Sequence, residues 1–182
     1  MQGQPQQDAG GGQDVSNMSA TRDIAGGPGG LAVEEPPKTF LSTRKMWNRV
    51  EFSTSLVPCP RSGAASVVHE GKLLMYGGYG GSQRLDDLWS FDFETRSWEQ
   101  ILYTGGGPGA RENNGVVVVD NVLYLFGGFN GFQWLGDFHG FDLRKKKWTR
   151  IEDRGTVPLP RFGYVSATYC KGTRKELILF AG

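Results

Sequence analysis

With 20 Lys and Arg against 19 Asp and Glu, this chain of 182 residues carries a net charge of +1 and is 38% apolar. That balance removes bulk electrostatics as a reason to bind nucleic acid or an anionic membrane surface. No stretch reads as a signal peptide or a membrane span. The two cysteines, Cys59 and Cys170, give no disulfide framework, so reduced thiols and a cytoplasmic location are the simpler expectation.

Residues 1–38 are dominated by Gln, Gly, Ser, Asp and Pro, with Val15, Ile24 and Leu31 standing alone. Such a segment buries too little apolar surface to offset its ordering entropy, and a disordered tail is predicted. Gln2 does not fit the myristoylation pattern, which needs Gly second, and Asn17-Met18-Ser19 reads as an accidental glycosylation sequon. Residues 39–59 form a lead-in, where Met46-Trp47-Asn48-Arg49-Val50 is predicted to be an isolated outer strand.

From residue 60 a unit of fifty residues is written twice, over 60–109 and 110–159, and begins again over 160–182. Arg61, Gly77, Gly78, Gly81, Gln83, Leu85, Asp87, Phe91, Asp92, Trp98 and Ile101 each recur fifty positions later. Val67, Val68 and Leu73 do the same, making fourteen identities between 61–101 and 111–151. Within a unit, Ser66-Val67-Val68 and Leu73-Leu74-Met75-Tyr76 flank Glu70-Gly71, and Val116-Val117-Val118-Val119 and Val122-Leu123-Tyr124-Leu125-Phe126 flank Asp120-Asn121. Short β-branched runs around two-residue turns of this type predict tight hairpins. The runs are nearly continuous, so both faces of these strands are expected to be covered. A Gly-containing loop follows, then a half-buried strand (Leu88 to Phe93, Phe138 to Leu143), then a charged turn and a short strand with Trp98 or Trp148. Four antiparallel strands in some fifty residues predict one blade of a β-propeller per unit.

The double glycine after an apolar strand, the Asp-x-x-x-Phe-Asp run and the Trp six residues later resemble the Kelch repeat. The resemblance implies an all-β, Kelch-type β-propeller segment of about two full four-stranded blades plus partial units. Two blades do not close a ring, so the chain is expected to be the N-terminal fragment of a longer protein. Gly77, Gly78, Gly127 and Gly128 are expected where the next blade approaches closely. Trp98 and Trp148 are expected to supply the apolar area that blades bury on one another.

The galactose oxidase family also uses a Kelch-like propeller, and its copper site needs two His, two Tyr and a Cys. His69 and His139 are the two histidines here, occupy different positions of the unit, and are expected at the surface or at an edge. No catalytic triad, metal site or cofactor is therefore assigned. Gly105-Gly106-Gly107-Pro108-Gly109 lacks the Lys-Ser/Thr of a phosphate loop and reads as a flexible connection between blades. The run Arg144-Lys145-Lys146-Lys147 reads as a solvated turn, since its counterpart Glu94 to Ser97 is mixed in charge.

What remains is the loop surface. Tyr79, Arg84, Phe132 and Trp134 lie in the loops after the double glycines and change between copies, as partner contacts would. For Tyr79 and Phe129, directly after the glycines, a structural role is the alternative. The expected function is a protein–protein interaction module with an unidentified protein partner, with no nucleic acid and no membrane involved. Asp86-Asp87-Leu88-Trp89-Ser90-Phe91-Asp92 resembles the leucine-zipper-like transcriptional regulator group, in which Kelch repeats precede BTB domains. That resemblance implies substrate recognition for a cullin-type ubiquitin ligase. A galactose-oxidase-like or other metal-dependent propeller enzyme, with its ligands in the missing part of the protein, is the alternative.

Overall fold

The computed structural model describes residues 49–152 and 155–182. The predicted tail and Met46 to Asn48 of the lead-in strand lie outside the described residues. Arg49 and Val50 lie inside them, are exposed and belong to no strand.

Among the described residues there are ten strands and no helix. The first sheet runs β1 (Ala65–His69), β2 (Lys72–Tyr76), β3 (Leu88–Asp92), β4 (Ser97–Gln100), paired antiparallel in chain order. The second repeats that order with β5 (Gly115–Val119), β6 (Val122–Phe129), β7 (Trp134–Asp142) and β8 (Lys147–Arg150). A third sheet holds only the hairpin β9 (Val165–Lys171) and β10 (Arg174–Phe180). These are two four-stranded blades and the inner hairpin of a third unit.

Local chemistry sets each corner. Both central residues of the first two hairpin turns have positive φ, 46° and 73° at Glu70-Gly71, 49° and 61° at Asp120-Asn121. That is the type I′ geometry, whose twist matches paired strands. At the far end of β3, Asp92 Oδ1 accepts the backbone N–H groups of Glu94 and Thr95, both at 3.0 Å. Asp142 does the same for Arg144 and Lys145. The second Asp of the repeated run is therefore the turn residue that ends the third strand.

The third strand of the second blade starts at Trp134, four residues earlier than the sequence indicates. Asn130 Oδ1 accepts the N–H groups of Phe132 and Gln133, both at 2.9 Å, and closes a tight turn that pairs Phe129 with Trp134. The first blade has Gly80 at that position, which offers no such acceptor, and only an isolated Tyr79–Arg84 bridge forms.

Stacking of neighbouring units buries the core: Tyr76, Leu88, Leu123, Leu125, Phe141 and Trp148. The double glycines sit at the closest approach, as expected. A Cβ on Gly77 would lie 2.5 Å from the Arg111 carbonyl oxygen, and one on Gly127 would lie 2.6 Å from that of Arg161. Gly78 and Gly128 donate to those same carbonyls, at 2.8 and 2.9 Å. Gly127→Ala would combine a φ of 57° with that collision, whereas Gly71, at 73°, has open space around it. Gly71→Ala is expected to cost only the strain of its backbone region, ~1–3 kcal/mol, and Gly127→Ala clearly more, in chemical denaturation of the same chain. Equal losses would mean that the blades approach less closely at Gly127 than these distances require.

The expectation that both strand faces are covered holds for β5 and fails for β1. The second blade lies between the first blade and the third hairpin, so Val116 and Val117 are buried. The first blade has a neighbour on one side among the described residues, and Val68 is exposed. Burial here follows the number of neighbouring units rather than the strand's own composition.

Candidate protein-interaction face

Antiparallel topology starts the β2–β3 and β6–β7 loops and the blade-to-blade connections at one end of the strands, the loop end; Thr104 in the first connection then pairs with Lys147 at the start of β8. Each loop is anchored from below by the repeated Arg and the first repeated Asp. Arg61 holds Asp87 at 2.5 and 3.0 Å and the Gly77 carbonyl at 3.0 Å. Arg111 holds Asp137 at 2.7 and 2.9 Å and the Gly127 carbonyl at 3.0 Å, and donates to the Pro108 carbonyl. One guanidinium thus fastens both ends of its loop and the incoming connection, which suits its planar fork of donors. The Arg111 residue is 2% exposed. Burial alone would raise the Asp137 carboxyl. The hydrogen bonds from His139 and Arg111 outweigh it and hold the group well below the usual carboxylate range.

His139 Nε2 lies 2.7 Å from Asp137 Oδ2. This corrects the expected surface position, because His139 is 5% exposed, on β7. Fifty residues earlier stands Trp89, whose indole Nε1–H donates to Asp87 Oδ2 at 2.6 Å. The fold needs a ring N–H donor at this position, and two different residue types supply it. His69 ends β1 beside Asn121, far from that role. Among the described residues no group of three or more His, Cys, Asp or Glu is placed to hold a metal ion.

The connection that holds Gly105 to Gly109 is tied at its two ends. Thr104 exchanges backbone hydrogen bonds with Lys146 and Trp148, both at 3.0 Å, and the Gly109 carbonyl accepts from Tyr76 Oη at 3.1 Å. The next connection is tied by Tyr164, whose hydroxyl accepts from Gly115 N at 2.8 Å and donates to the Phe126 carbonyl. Burial pushes its phenol up to about 12.

The four sequence candidates divide into two kinds. Tyr79 and Arg84 are half-buried and engaged at the junction of the two blades. The Arg84 guanidinium lies 5.5 Å from the Tyr79 ring centre and 4.7 Å from that of Phe129, and pairs with Glu112 at 2.7 Å. In the next junction the same positions carry Trp134 and Phe162, whose rings lie 5.6 Å apart. An ion pair in one junction is replaced by an aromatic pair in the other. Phe129 is also 5.9 Å from Phe162, so it belongs to this inter-unit layer.

Phe132 and Trp134 are the outward kind, 95% and 60% exposed. Beside Trp134 runs an open groove of about 550 Å³, walled by Leu135, Val157, Pro158 and Pro160, with Arg150 at its rim. Leu102, Val157 and Leu159, all in blade-to-blade connections, are also exposed. The sequence places the connection of 153–160 on the same face as the aromatic loop, but singles out none of its residues; Val157, Pro158 and Pro160 stand out once they line the groove beside Trp134. Large apolar side chains held out by braced loops suit recognition of another protein surface.

A repeated antiparallel four-stranded sheet, double-glycine junctions and the Arg–Asp loop anchor define Kelch-type propeller blades. The profile of the KLHDC2/KLHL20/DRC7 Kelch-repeats domain matches residues 38–182, and the chain belongs to this Kelch-repeat family. The chain is 36% identical to tip elongation aberrant protein 3 of Schizosaccharomyces pombe over 73 residues, 40% of this chain and 6% of that protein. It is 34% identical to the leucine-zipper-like transcriptional regulator 1 homolog of Drosophila melanogaster over 64 residues, 35% of this chain and 6% of that protein. A probable serine/threonine-protein kinase of Dictyostelium discoideum is 32% identical over 69 residues, 38% of this chain and 5% of that protein. The stretch shared is thus a small part of each relative. Kelch repeats are typically non-enzymatic, and their presence supports a protein–protein interaction module. No helix among the described residues is long and apolar enough to cross a membrane.

Proposed function

We propose that this chain captures a protein partner on the loop end of its blades, with Phe132 and Trp134 as the anchoring side chains. The observation that carries this reading is the exposure of two large aromatics on a turn fixed by Asn130 and bolted down by Arg111 and Asp137. Such side chains present much contact area at little further entropic cost. Tyr79 and Arg84 support the surface from beneath, shaping it more than touching the partner. The likeness to the leucine-zipper-like transcriptional regulator 1 homolog supports a finer reading. In it the captured protein is a client delivered to a cullin-type ubiquitin ligase, in the cytoplasm. The free, exposed Cys59 and Cys170 suit that reducing compartment.

Phe132→Ala combined with Trp134→Ala is expected to leave the circular dichroism spectrum unchanged. Affinity capture of the main partner should drop by at least roughly 30-fold, the effect of losing an anchor worth ~2 kcal/mol. Undiminished capture by the folded double variant would reject the assignment. The finer reading is tested separately, by whether ubiquitination of the captured protein depends on the same two side chains.

A further inference from the structure

The opposite end of the strands, where the two-residue and charged turns emerge, breaks the repeat in two places, and both breaks add positive charge. The β7–β8 turn carries Arg144, Lys145, Lys146 and Lys147, all exposed, where the first blade has Glu94, Thr95, Arg96 and Ser97. The third hairpin is longer than its predecessor. Gly115 pairs with Phe126 and Val165 with Phe180 at the loop end. From there β5–β6 forms five pairs, while β9–β10 forms seven and ends at Lys171 and Arg174. The two additional pairs extend this hairpin beyond the turn end of its neighbour. Its tip carries Lys171, Arg174 and Lys175, and Lys175 leans on Asp120 in the turn of the second blade. Four of the carboxylates at this end are occupied, Asp142 by Lys145, Glu99 by Lys146, Glu176 by Arg174 and Asp120 by Lys175, and Glu70 lines the same cleft as Arg144. Arg144, Lys147 and Lys171 have no carboxylate partner among the described residues.

We propose that this turn end is a second docking surface, which takes an acidic segment of a protein through Arg144, Lys147 and Lys171. A propeller framework repeats what packing requires, so a cluster present in one copy and missing from the other is free of that requirement. Charge complementarity selects the class of occupant. The interleaved Asp120, Asp142 and Glu176 would repel a continuous phosphate track, whereas an extended acidic peptide can place its carboxylates between them. The surface faces away from Phe132 and Trp134, so one partner could span both ends or two could bind together.

The test is fluorescence anisotropy of the whole chain with a labelled peptide of alternating Glu and Ser, at low and physiological salt. Binding is expected, and it should weaken as salt screens the charges. Arg144→Glu, Lys147→Glu and Lys171→Glu together should weaken it by about tenfold or more, the sum of three exposed pairs. The corresponding Gln substitutions should give an intermediate loss, and Phe132→Ala with Trp134→Ala no change. The proposal is overturned if the wild-type chain does not bind the peptide, or if the folded triple variants bind it as well as wild type does. It is equally overturned if polyuridine RNA or phosphatidylserine vesicles bind more tightly through the same residues.

Discussion

Asp137→Ala should lower the stability of the chain by about 3–5 kcal/mol, the usual cost of removing one partner from a buried ion pair. Arg111, buried where the chain passes from the first blade into the second, would be left with carbonyl acceptors alone, and His139 would lose its acceptor. Urea denaturation at constant m-value measures this directly. The same group sets part of the pH dependence. Its folded-state pKa is depressed below the ordinary value of 3.8, so its contribution is complete above that pH and is lost as pH falls through the folded value. The variant should therefore lose less stability than wild type on going below about pH 4. The limb will not be flat, because backbone N–H groups also hold Asp92 and Asp142 low. Parallel pH curves for variant and wild type would remove Asp137 from its place in the account.

The second large effect is expected at one tryptophan and not at its repeat. Trp148 is 1% exposed and lies against Phe141, Tyr76 and Tyr103, with ring centres 4.9, 5.4 and 6.1 Å away. Trp148→Ala should cost ~3–5 kcal/mol, as other buried aromatic truncations do. Trp98 holds the equivalent position and packs on Phe91 at 5.0 Å, but among the described residues its other ring neighbours are Phe52 and Trp89, at 6.2 and 6.5 Å, and the residue is half-buried. Trp98→Ala should cost clearly less. Equal losses would mean that the two blades bury this position alike, contrary to the structure.

Most of the fold was legible because the repeat states it twice. Spacing alone placed the hairpin turns at Glu70-Gly71 and Asp120-Asn121, the glycine junctions, and the strand carrying each tryptophan. What was not legible depends on contacts between copies. His139 looked like a surface residue because nothing in the sequence equates an imidazole with the indole of Trp89. The equivalence appears only when both rings are seen donating to the repeated Asp. Arg84 looked like a partner contact because it changes to Trp134 in the next unit. The change is compensated at Glu112 and Phe162, across a junction that no local pattern reports. Phe132 and Trp134 were found from composition and position. The groove beside them needed residues 157–160, brought there by the chain's return from β8.

A photo-cross-linking side chain placed at position 132, with a second version carrying it at position 93, tests the capture face most directly. Phe93 is also exposed but lies in the β3–β4 turn, at the other end of the strands. On irradiation in cells, position 132 should give a discrete cross-linked protein that disappears when Trp134→Ala is added, and position 93 should give none of it. Equal labelling of one protein from both positions, or no covalent partner from position 132, would contradict capture at the loop end.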